Sequence, residues 1–108
     1  MLDGFWIGQI KSLGSTSGCV AMLRGGKIFG GDSAFCFMGT YYADATSMKA
    51  KVTVQNFDPA VLSMFGVKGD YELEVSATIS GDSITGTAML AGQPSKSMAI
   101  RLDKKSNF

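Results

Sequence analysis

Along most of this chain, hydrophobic residues alternate with polar ones at a period of two, in short runs separated by breaks rich in Gly, Asp and Ser. Successive side chains leave a strand on opposite sides, so this period predicts strands with one buried and one wet face. The clearest run is 70–80. Tyr71, Leu73, Val75, Ala77 and Ile79 share one face, and Asp70, Glu72, Glu74, Ser76, Thr78 and Ser80 share the other. Gly81-Asp82 then predicts a tight hairpin turn into a strand over 83–91. Gln93-Pro94-Ser95 reads as a break before a last strand built on Met98, Ile100 and Leu102, with 104–108 as a frayed tail.

The first half follows the same plan. Strands are predicted over 4–10, 17–23, 27–30, 34–42 and 48–54. The turns between them include Gly25-Gly26, Gly30-Gly31-Asp32-Ser33 and Ala43-Asp44-Ala45-Thr46. Two consecutive glycines suit a hairpin turn because both accept positive φ. About eight short strands joined by tight turns predict an all-β fold, an eight-stranded antiparallel up-and-down barrel in one domain spanning 1–108. One segment departs from the pattern. Residues 58–66 carry an N-cap-like Asp58, Pro59 at the first helical position and Gly66 at the end, so one short helical segment is expected there. Val61, Leu62 and Phe65 suit it as a plug over one end of the barrel.

Two strands break the alternation. In 34–42, Phe35, Phe37 and Tyr41 face one way and Cys36, Met38 and Tyr42 the other, so both faces are apolar. The first strand does the same, with Phe5 and Ile7 opposed to Trp6 and Ile10. Apolar side chains on an outward face need a cover. Trp6, Phe35, Phe37, Met38, Tyr41 and Tyr42 therefore form the candidate dimer or ligand surface. The alternative cover is the 58–66 segment. Inward positions Gly39, Ala50, Gly86 and Ala88 are small enough to leave room for one hydrophobic ligand, whereas Phe35, Phe37, Tyr71 and Leu73 are large enough to fill it.

Composition narrows the function classes. The 108 residues include ten basic and nine acidic ones, a net charge of +1, which supplies no basic face for nucleic acid. Only 18% of residues are charged, against about 25% in a typical domain, consistent with self-association. The N-terminus lacks the basic and apolar regions of a signal peptide. No run approaches the roughly 20 apolar residues that span a bilayer. A cytoplasmic protein without membrane contact is expected.

Catalytic chemistry finds little purchase. The chain has no histidine, which removes Ser-His-Asp and Cys-His arrangements. Cys19 and Cys36 read as two buried reduced thiols, with a disulfide or redox pair as the alternative, and are too few on their own for a zinc site. Gly25-Gly26-Lys27 lacks the spacing of a phosphate loop. Glu72 and Glu74 read as exposed partners of Lys49 and Lys51 on the neighbouring strand. No enzyme, cofactor or metal is expected.

Several segments in order along the chain resemble the GrlR-like family, whose name comes from a negative regulator of type III secretion. They are Asp3-Gly4-Phe5-Trp6, 26–33 with Gly39-Thr40-Tyr41, 62–66, and Gly81-Asp82-Ser83-Ile84-Thr85-Gly86. The resemblance implies a lipocalin-like barrel that dimerises. It also implies a non-enzymatic interaction module, a regulator that sequesters a transcriptional activator without reading DNA itself. The family's acidic partner loop falls on residues 43–46, where only Asp44 is acidic, so Asp44 is the candidate partner-loop residue. The alternative function is a carrier of a small hydrophobic ligand inside the barrel.

Overall fold

The computed structural model describes residues 2–12, 14–61, 63, 65–67 and 69–107. Eight strands follow one another as β1 (Gly4–Ser12), β2 (Ser15–Arg24), β3 (Lys27–Gly31), β4 (Phe35–Ala43), β5 (Ser47–Asn56), β6 (Tyr71–Ser80), β7 (Ser83–Leu90) and β8 (Gln93–Ser106). Each pairs antiparallel with its neighbours in sequence, and β8 returns to pair with β1, which closes the barrel. Closure gives every strand a neighbour on each side, the usual remedy for exposed sheet edges, although the short β3 covers only Val20–Arg24 of β2.

The alternation seen in the sequence becomes the inside and outside of this barrel. Val52, Val54, Leu73 and Val75 are buried within it, while Lys49, Lys51, Glu72 and Glu74 stand exposed on the outer face of β5 and β6. Lys51 lies opposite Glu74 in register, and Thr53 opposite Glu72. The Gly25-Gly26 turn has φ of 57° and 82°, the left-handed conformation that glycine adopts without steric cost.

Three expectations are corrected. No helix forms among the described residues of 58–66; Leu62 and Met64 lie outside them. Val61 N–H donates to the Asp58 carbonyl and Gly66 N–H to that of Ser63, each closing an isolated turn. The Val61 carbonyl accepts from Asn56 Nδ2 at 2.8 Å, and Val67 N–H donates to Ser63 Oγ at 3.0 Å. These side chains take backbone groups that a continuing helix would need. Residues 104–106 are also not frayed but belong to β8, where Lys104 pairs with Trp6 and Ser106 with Phe5; Phe108 lies outside the described residues. Finally, the last turn falls at Ala91-Gly92, with Gly92 at φ 77°. Gln93 pairs with Leu90 and Ser97 with Met89, so Pro94 sits in an irregular stretch where its missing N–H costs no regular ladder bond.

The barrel has two unlike ends. At the end with the β2–β3, β4–β5 and β6–β7 turns, Trp6, Leu23, Met48 and Ile84 have almost no exposed surface and form a packed floor. Trp6 Nε1 donates to the Leu2 carbonyl at 2.9 Å, so its buried polar atom is satisfied. Lys104 Nζ lies 5.7 Å from the indole centroid, within cation–π reach. The opposite end carries the β3–β4 loop and the long β5–β6 connection. There Phe65 meets Tyr71 edge-on at 6.0 Å, and Tyr71 meets Phe35 at 6.4 Å.

Candidate functional site

Strand parity divides the candidate residues between two surfaces. Phe35 and Phe37 point into the barrel and line a cavity of about 1120 Å³ above the floor. Tyr41, also inward, packs against the core. Trp6, with no exposed area, belongs to the floor and stands on neither the outer surface nor the cavity wall. Met38 and Tyr42 point outward and are 36% and 84% exposed.

The cavity wall is mainly aliphatic and aromatic, with Val52, Val54, Leu73, Val75 and Met98 among its members. Its volume lies slightly above the roughly 300–1,000 Å³ usual for small-molecule sites. Val61 from the β5–β6 connection reaches the same wall, so the segment expected as a helical plug still borders this end. Polar groups gather toward that end as well: Ser17, Cys19, Asp32, Ser33 and Tyr71. Asp32 is built into its loop, with Oδ1 accepting from Ala34 N–H and Phe35 N–H, both at 2.9 Å.

Burial, and secondarily the Asp32 carboxylate, pushes the Cys19 thiol up to about 11, partly offset by a hydrogen bond with the Gly8 backbone. Burial likewise raises Tyr71, a hydrogen bond with Ser63 opposes it, and Asp32 adds to it. Cys19 and Tyr71 therefore keep their protons to higher pH than they would in water. Cys36 is free like Cys19, but it lies on the outer face, so the two thiols stand on opposite sides of the sheet.

The small inward glycines have a different role from enlarging the cavity. A Cβ on Gly39 would collide with the Lys51 carbonyl and lie 2.9 Å from Val52 Cα; one on Gly86 would collide with the Ser76 carbonyl and lie 2.5 Å from Ala77 Cα. At these points adjoining backbones approach too closely for a side chain.

The outer surface carries a feature that single-strand reading did not assemble. In register, Phe5 lies opposite Met22, Met22 opposite Phe29 and Phe29 opposite Met38. The next outward row runs Ile7, Val20, Gly31, Cys36, of which Ile7, Val20 and Gly31 also border the open cavity. Together they make an apolar stripe across four strands, in which Val20, Met22, Phe29 and Met38 are 36–51% exposed. Val20, Met22 and Phe29 were missed as site residues. Their signal lay in the Gly25-Gly26 turn, which sets Met22 opposite Phe29 once the hairpin register is drawn.

Asp44 lies outside this stripe and is fully exposed, in the β4–β5 turn. Its Oδ1 accepts from Thr46 N–H and Ser47 N–H, both at 2.8 Å, and its Oδ2 from Ser47 Oγ at 3.1 Å. Those bonds, led by the Thr46 and Ser47 amides, hold its carboxyl below the usual range. They give Asp44 a turn-forming role whether or not it also meets a partner.

Among the described residues, no group of three or more Cys, Asp and Glu side chains is arranged to hold a metal ion. The chain matches no protein-family model and no curated protein.

Proposed function

We propose that this protein is a non-enzymatic interaction module whose outer apolar stripe pairs it with a second copy of itself. The observation that carries this reading is the pair of cross-strand rows centred on Met22 and Phe29. From the exposures, the stripe offers on the order of 400 Å² of apolar surface, within the roughly 300–600 Å² of the largest patch on a typical monomer, a patch that is often functional. That is about half of the roughly 800 Å² each partner contributes to a standard interface. Arg24, Lys27 and Thr40 border it and suit a polar rim. A face containing both rows can meet its own copy across a two-fold axis. Elsewhere the exterior is charged, at Lys49, Lys51, Glu72, Glu74 and Arg101, which favours a barrel standing in water over one facing lipid.

On this reading the dimer is the platform for a further protein, and a transcriptional activator is the partner that the GrlR-like resemblance implies. The first test is sedimentation equilibrium of the native protein and of Phe29→Lys at tens of micromolar. The native protein is expected as a dimer and the variant as a folded monomer. A monomeric native protein sinks the pairing.

The cavity supports a second reading, a carrier of a small hydrophobic molecule. Eight-stranded barrels are the size that either fills with side chains or holds one such ligand, and here a large apolar space remains beside Phe35, Phe37 and Leu73.

A further inference from the structure

An apolar cavity selects for an apolar body; the polar groups at its open end decide which head group may accompany it. Among the described residues lining the cavity, Asp32 is the one charged side chain, and no Lys or Arg joins it. Lys11 and Lys96, on the strands that reach the same end, are exposed and absent from the lining. The loop hydrogen bonds of Asp32 fall on Oδ1, so Oδ2 takes no part in holding the turn. The neighbouring polar groups Ser17, Cys19, Ser33 and Tyr71 carry no positive charge that would hold a carboxylate or phosphate. A ligand anion placed here would lose its hydration and meet a like charge, whereas a cation would replace part of its hydration with an opposed carboxylate.

Building on the carrier reading, we propose that the barrel binds an amphiphilic amine. Its hydrocarbon body occupies the cavity, and its protonated nitrogen is held at the mouth by the carboxylate of Asp32. The raised pKa of Cys19 is consistent with this polarity, since Asp32 already disfavours a second negative charge nearby.

Isothermal titration calorimetry at pH 7 with dodecylamine, 1-dodecanol and dodecanoate, each below its aggregation threshold, tests the assignment with one chain and three head groups. Dodecylamine is expected to bind about ten-fold more tightly than dodecanoate, with the alcohol between them. Asp32→Asn retains an oxygen able to accept from Ala34 N–H and Phe35 N–H. It is therefore expected to fold and to bring the amine down to the affinity of the alcohol. Dodecanoate binding as well as the amine, or an amine preference that survives Asp32→Asn, overturns the head-group assignment while leaving a carrier. Failure of all three ligands to bind overturns the carrier reading itself.

Discussion

Cys19 shows how one position in the barrel changes the chemistry of a side chain. In water its thiol would titrate at 9.0; burial and Asp32 move it to about 11. At pH 8 its thiolate fraction is therefore about 100-fold below that of an ordinary thiol. Iodoacetamide followed by peptide mapping is expected to label the outward Cys36 well before Cys19 in the folded protein, and both comparably in urea. Because the folded-state value is raised, the contribution to stability is fully present below pH 9 and is lost as pH rises toward about 11. Replacing Cys19 by Ala should therefore reduce the fall in stability over that interval, measured as the native-minus-variant difference in urea midpoint. An unchanged difference across pH 9–11 contradicts this account. The presence of Cys19 in a period-two run was plain in the sequence. Its spatial neighbour Asp32, further along the chain in the β3–β4 loop, was not.

At the scale of elements, strand identity was set by alternation and turn chemistry, both local properties. The run 70–80 and the Gly25-Gly26 hairpin appear in the structure much as their residues indicate. The 58–66 segment departs from the helical expectation because its Asp58, Pro59 and Gly66 signals compete with side-chain hydrogen bonds: Asn56 Nδ2 donates to the Val61 carbonyl, and Ser63 Oγ accepts from Val67 N–H. The end of β8 was misread for a related reason. Lys104, Lys105 and Ser106 lack alternation, yet β1 begins at Gly4 and its first residues need a partner strand. Ending the chain after Asp103 removes the partners of Phe5 and Trp6 and uncovers the indole floor. Such a protein is expected to melt several degrees lower, since each lost backbone bond is worth roughly 1 kcal/mol and buried indole becomes exposed. A melting temperature unchanged by this truncation in differential scanning calorimetry would show the tail to be dispensable.

For the whole molecule, closure is the constraint that the other features obey. Bringing β8 back to β1 curls the sheet until neighbouring backbones nearly touch at Gly39 and Gly86. Alanine at either site meets backbone atoms, which cannot swing aside as a side-chain tip can. Gly39→Ala and Gly86→Ala are each expected to cost about 1–3 kcal/mol in denaturant unfolding, as overpacking does elsewhere. Wild-type stability in both variants would show that the strands can separate without penalty.

The amino-acid sequence by itself determined the all-β class, most strand positions and which residues of each strand share a face. These follow from the two-residue period and from glycine's freedom in turns, and both act over a few neighbouring residues. Only the tertiary structure decided what each face meets. The inward face of β4 borders an open cavity at Phe35 and Phe37, while its outward face joins Phe5, Met22 and Phe29 in one stripe. Strand register, barrel closure and the space left between opposite walls depend on distances across the molecule, which no local pattern encodes.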